Sequence, residues 1–156
     1  MFKNLLIILF VLIFSTFAFA QKNKSENSKL PTDIAEWVGE DSDKILENEI
    51  IKVRLKKLLG EKDYATFTEY FETSKPIEKD GNFIFSSGCM IHACKHLESA
   101  IAIDLVNNTI HAAIYDEIEE TKYFNEKESK NPEPIIKWSE LLNSMKDSDF
   151  QRLSSN

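Results

Sequence analysis

Both cysteines of the chain and two of its three histidines fall within nine residues, Gly88-Cys89-Met90-Ile91-His92-Ala93-Cys94-Lys95-His96. Three chemistries are open to such a group: a metal site, a thiol nucleophile, or a closed ring that presents a side chain. Cys89, His92, Cys94 and His96 are candidate zinc ligands, but zinc needs thiolates and a disulfide leaves none. The single-residue gaps between His92, Cys94 and His96 also crowd a tetrahedral site. The pattern is C-x-x-H-x-C, so neither the C-x-x-C of thiol exchange nor the C-x-x-C-H of haem attachment is present. A cysteine nucleophile beside His92 would have to be reduced, and nothing nearby reads as an oxyanion device. A ring from Cys89 to Cys94 would remove little global chain entropy, about 2 kcal/mol. Its stronger effect would be local, stiffening the loop and fixing the direction of His92. A rigid loop with one titratable side chain suits insertion into a partner's cleft, because little ordering entropy is lost on binding.

Whether the cysteines pair depends on the compartment, and the N-terminus bears on that. Lys3 precedes the apolar run Leu5–Phe14, and Ala18-Phe19-Ala20 reads as a cleavage signal. The run is shorter than the roughly 20 residues of a membrane span. Residues 1–20 are therefore expected to be a signal peptide. No cysteine follows the cleavage site, so no lipid or other stable membrane anchor is expected. The reading is a periplasmic or secreted protein whose cysteines are paired by an oxidising compartment.

The chain carries 19 basic and 26 acidic side chains, net −7, and loss of Lys3 with the leader makes it −8. That balance argues against nucleic acid and anionic membrane as partners. It favours a cationic protein, chiefly through a faster encounter. With four glycines in all, no phosphate-cradling loop occurs. Acidic runs such as Glu117-Ile118-Glu119-Glu120 read as solvated faces. No cofactor is implied, and an enzyme is disfavoured.

The elements that must hold the loop are read as follows. Residues 21–30 are a polar, flexible lead-in. Residues 31–145 form a single domain, and 146–156 a polar tail. A short helix is expected over Pro31–Gly39, capped by Asp33. A longer one runs from the acidic residues at Glu40–Asp43 to a stop at Gly60, with Leu46, Ile50, Ile51, Val53, Leu55, Leu58 and Leu59 on a broad apolar face. A third begins near Asp63 and carries Tyr64, Phe67 and Phe71 into the core. Asp80-Gly81 signals a hairpin, and Phe83-Ile84-Phe85 leads into the cysteine loop. Strands over Ala100–Leu105 and Thr109–Tyr115 are joined by Asn107-Asn108, and a weaker strand lies near Thr121–Phe124. His111 falls on the face opposite Ile110, Ala112 and Ile114. A final helix after Pro134 shows Ile135, Trp138, Leu141, Leu142 and Met145 as one stripe. The fold class is α+β, an antiparallel sheet of about five strands with helices packed on one face.

Cys89-Met90-Ile91-His92-Ala93-Cys94 resembles the hallmark loop of the bacterial inhibitors of vertebrate lysozyme, Cys-Lys-Pro-His-Asp-Cys in its best-known form. Leu55–Gly60 before an aromatic helix, Gly88 before the loop and the two strands after it fit the same family, over roughly Leu46 to Tyr123. The resemblance implies a periplasmic α+β protein, often a homodimer, that inhibits C-type lysozyme or a related muramidase. It implies that the ring closed by Cys89 and Cys94 enters the active-site cleft and that His92 contacts the catalytic acids. Met90, Ile91 and Ala93 replace the family's Lys, Pro and Asp, so this loop is uncharged apart from its histidine. A non-inhibitory envelope binding module of the same fold, acting on an endogenous cell-wall lytic enzyme or another partner, is the alternative.

Overall fold

The computed structural model describes residues 29–154 apart from 128. The expected signal peptide lies outside the described residues, as does most of the lead-in. A single 3-10 turn, Ile34–Trp37, stands where the first short helix is expected. Asp33 does not cap it, because its carboxylate accepts from the Trp37 indole N–H at 3.1 Å instead.

The long helix is divided. Helix α1 spans Asp43–Glu47 and α2 spans Glu49–Glu69. Between them Asn48 is extended, and its side chain accepts from the N–H groups of Ile50 and Ile51 at 3.1 and 3.2 Å. Asparagine is among the best N-caps, and here capping prevails over an uninterrupted apolar rhythm. Gly60, at φ 73°, breaks the helical path as expected, but the aromatic run resumes at once and α2 is kinked there. The break at Asn48 also changes the buried face. Ile45, Ile51, Leu55, Leu59 and Phe67 are buried, whereas Val53 points to solvent.

Six strands follow: β1 Thr73–Ser74, β2 Glu78–Asp80, β3 Phe83–Cys89, β4 Leu97–Asp104, β5 Thr109–Asp116 and β6 Lys122–Asn125. They form one antiparallel sheet in the order β1-β3-β4-β5-β6, with β2 also pairing β3. Gly81 turns the β2–β3 hairpin at φ 59°, and Asn108 turns β4 into β5 at φ 51°. The Asp104 carboxyl braces that second turn. Burial pushes its pKa up, but bonds from the Asn107 backbone and side chain and from the Val106 N–H outweigh burial and hold it below its ordinary value. Arg54 of α2 grips the same turn, donating to the Asn108 carbonyl at 2.8 Å and pairing with Glu126.

The α+β class and the antiparallel sheet are as expected, but the helices do not share one face. Ile101, Ile103, Ile110, Ala112 and Ile114 pack against α1 and α2. Ala100, Ala102, Ala113 and Tyr115 pack against Ile135, Trp138 and Leu142 of α3, which spans Glu133–Ser154 on the opposite face. The second face carries a weak periodic signal because three of its sheet residues, Ala100, Ala102 and Ala113, are alanines beside Tyr115. Their small side chains leave room for the Trp138 ring and carry little apolar signal of their own. Within α3 the buried stripe is Ile135, Trp138 and Leu142, while Leu141 is exposed. The helix also runs on past Lys146, where a polar tail is expected. Each fully buried isoleucine contributes roughly 1.5–3 kcal/mol, so the core does not depend on the small ring at Cys89.

Candidate functional site

Strand β3 ends on Cys89 and β4 begins at Leu97, so Met90–His96 is the loop of a hairpin. Cys89 stands in ladder register with Glu98 on one side and Thr73 on the other. It is bonded to Cys94, with the two Cα atoms 4.9 Å apart, and neither cysteine is free. Inside the ring the Ala93 N–H donates to the Met90 carbonyl at 2.9 Å, closing a tight turn. His92 occupies the third position of that turn at φ 65°. Positive φ there is a glycine or asparagine preference, and holding another residue in it costs roughly 1–3 kcal/mol. The disulfide and the turn bond together over-determine the backbone. The His92 side chain is exposed, and its imidazole makes no hydrogen bond to the described residues. Ile91 beside it is exposed, and Met90 is half-buried.

Behind the ring the chain is tied down on several sides. The Met90 N–H donates to the Leu97 carbonyl at 3.0 Å, and the His96 and Leu97 N–H groups both reach the Ala93 carbonyl, at 3.0 and 2.9 Å. Lys95 has φ 77°, and its N–H donates to Glu98 Oε1 at 2.8 Å. The other oxygen of Glu98 accepts from the Trp138 indole N–H at 3.2 Å. On the β5 side, the Glu117 N–H donates to the His96 carbonyl at 2.9 Å, and the Glu117 carboxylate bonds His96 Nδ1. From below, Gly88 lies so close to the end of α2 that a Cβ would stand 2.9 Å from the Phe71 carbonyl oxygen and 3.0 Å from its Cα.

Of the sequence-predicted loop residues, Cys89, Met90, Ile91, His92, Ala93 and Cys94 are all brought together in this ring. His96 is set apart by its bond to Glu117. His111 is buried at the far end of the sheet, with Nδ1 bonded to Asn125 Oδ1 at 2.7 Å and Nε2 to Thr109 Oγ1 at 3.1 Å. A cleft of about 480 Å³ opens there, where Asp104 is bonded to Asn107 and His111 to Thr109. No three His, Cys, Asp or Glu side chains converge as a metal cage among the described residues. Glu98 carries no sequence expectation, and Glu117, read as part of a solvated acidic run, is instead bonded to His96. The available signal for Glu98 was parity: it shares the strand face of Ala100 and Ala102, which turns inward.

The arrangement offers no nucleophile, since both sulfurs are bonded to each other. It offers a stiff ring that holds no lysine, arginine or carboxylate, with one imidazole at its tip that is unbonded among the described residues. The family model for the inhibitor of vertebrate lysozyme (Ivy) matches residues 50–148, more than half of the chain. No curated protein and no solved structure matches. The matched span holds nearly all of α2, all six strands described, the disulfide ring and α3 up to residue 148. By that match and the loop it contains, the chain belongs to the family of inhibitors of vertebrate lysozyme.

Proposed function

We propose that the chain blocks a C-type lysozyme, or a related muramidase, by seating the ring Cys89–Cys94 in the enzyme's active-site cleft. The observation that carries this reading is His92, exposed and unbonded at the tip of a disulfide-closed turn. Glycosidases of this type keep two carboxyl groups across a narrow cleft, one protonated and one ionised. An imidazole between them can donate to one or both, and as imidazolium it meets compensating charge. Such charge-assisted bonds are shorter and stronger than neutral ones. Met90 and Ile91 would lie against the cleft walls. The chain acts by occupancy, with no reaction of its own, and meets its target in the periplasm or outside the cell. Titrating C-type lysozyme with the purified protein tests the reading, and a protein that leaves activity unchanged at micromolar excess overturns it.

Two expected results arise here. Cys89→Ser removes a ring whose loop closure is worth about 2 kcal/mol, and the fold survives because the core lies elsewhere. Inhibition falls by more than stability does, because the freed loop must be ordered on binding. Comparing the denaturation midpoint with the inhibition constant checks this. The second result concerns charge. Association with a cationic lysozyme slows as salt rises, while dissociation changes less. An on-rate that stays flat from low to physiological ionic strength would leave the net negative charge a solubility feature only.

A second reading is favoured by the ring's composition. Met90, Ile91 and Ala93 stand where the family's hallmark loop has Lys, Pro and Asp, and they present apolar surface. Such a ring fits a cleft with more apolar walls, and an endogenous cell-wall lytic enzyme is one candidate for it. Capture experiments with lysozymes of several classes and with lytic transglycosylases separate the two.

A further inference from the structure

We propose that Glu98 is the positioning residue of the His92 loop. Its buried carboxylate holds the Lys95 N–H and transfers that grip to the C-terminal helix through Trp138. The consequence for inhibition rests on the reading above, whereas the geometry does not.

A carboxylate on the inward face of a sheet is costly unless its oxygens are used. Glu98 is 6% exposed, and each oxygen has a donor: Lys95 N–H at 2.8 Å and Trp138 Nε1 at 3.2 Å. An apolar side chain of similar size would fill the space under α3 with less desolvation. What it could not do is hold a backbone N–H of the loop.

The N–H that Glu98 holds is well placed to control the tip. Lys95 follows Cys94 directly, so it is the first residue outside the ring. It sits at φ 77°, a conformation that non-glycine residues adopt only when their surroundings impose it. Releasing the Lys95 N–H removes one of the constraints that impose it. The chain would then drift toward negative φ and swing the ring on its base at Cys89. The carboxylate is itself fixed and cannot follow such a swing. Glu98 faces Tyr115 across the β4–β5 ladder, and Trp138 stands edge-on to the Tyr115 ring, with centroids 6.4 Å apart at 77°. A second tie, His96 to Glu117, holds the β5 side of the loop. Glu98 thus sets the angle from beneath while Glu117 sets it from the side.

The experiment uses the mature protein without a target first. Amide hydrogen exchange is read residue by residue in the parent, Glu98→Leu, Glu98→Gln and Trp138→Phe. Glu98→Leu is expected to speed exchange at Lys95 by about tenfold or more, while Ile101 and Ile110 stay within about threefold of the parent. Glu98→Gln keeps the shape and one acceptor, so it gives a smaller rise, and it serves alone if the leucine variant does not fold. Trp138→Phe drops only the indole N–H and also gives a smaller rise at Lys95. Inhibition constants are then measured, and Glu98→Leu is expected to inhibit about tenfold less well with His92 intact. Unchanged Lys95 exchange in both Glu98 variants overturns the proposal. So does a rise at Lys95 matched by Ile101 and Ile110, because Glu98 would then serve global stability alone. If the parent does not inhibit any lysozyme, the inhibitory reading fails, and the exchange data still decide what Glu98 does.

Discussion

Replacing His92 with alanine is expected to leave the fold intact and to weaken inhibition of a C-type lysozyme by roughly 2–4 kcal/mol, the range of an interface hot spot. That is a loss of about thirty-fold to several hundred-fold. The stability side is simple, because the imidazole touches no described hydrogen-bond partner and its removal leaves no buried group unpaired. The backbone side needs a control, since residue 92 sits at φ 65°. His92→Asn supplies it: asparagine tolerates positive φ but lacks the imidazole. Both variants should lose inhibition to a similar degree. His111→Ala should lose much less, because its ring is buried at the other end of the sheet, and His96→Ala should lose only what its tie to Glu117 contributes to holding the loop. Inhibition constants, taken after circular dichroism has shown an unchanged fold, decide the matter. A His92→Ala protein as potent as the parent would sink the inserted-histidine mechanism.

Gly88→Val should behave in the opposite way, damaging stability and inhibition together. The obstacle at Gly88 is backbone, not a side chain that can move aside: Phe71 O, Cα and C lie 2.9, 3.0 and 3.1 Å from the added Cβ. Overpacking of this kind costs roughly 1–3 kcal/mol, and the branched valine belongs at the upper end. Relief requires α2 to lift from β3, or β3 to shift where it pairs with Ser74 and Ser99. Either movement displaces Cys89, the foot of the ring. Denaturant unfolding with an unchanged slope should show a lower midpoint for Gly88→Val and a smaller drop for Gly88→Ala. If Gly88→Ala is as stable as the parent, the close approach of Phe71 is not a constraint on the chain.

Most of the strand order and the composition of the ring could be read from residue types. Asp80-Gly81, Asn107-Asn108 and the alternation of Ile101 with Ile103 are local signals, and each turn or strand formed where they stand. The misreadings were competitions between signals. Asn48 lies inside the span expected as one long helix, yet its side chain accepts from two N–H groups and so separates two helices. The face under α3 was missed because Ala100, Ala102 and Ala113 contribute little apolar weight individually. Its depth comes from Tyr115 and Trp138, which lie far apart in the chain. The positive φ of His92 and Lys95 was not legible at all, since neither residue type prefers it. It accompanies the closed ring and the Lys95 N–H bond to Glu98, contacts only five and three residues apart in sequence that the residue types at 92 and 95 do not announce.

The ordering of the sheet bears on what this protein avoids. Its three long strands, β3, β4 and β5, have 7, 8 and 8 residues and are all interior in the sheet. The margins are left to β1 and β2, of two and three residues, and to β6, of four. Glu78, Lys79 and Asp80 make up all of β2, and Lys122 opens β6. Short, charged margins give another chain little ladder to extend, so strand-by-strand self-association is discouraged. An acidic protein can then be held at high local concentration without templating its own aggregation. The same short margins also offer little ladder for a partner strand to add to.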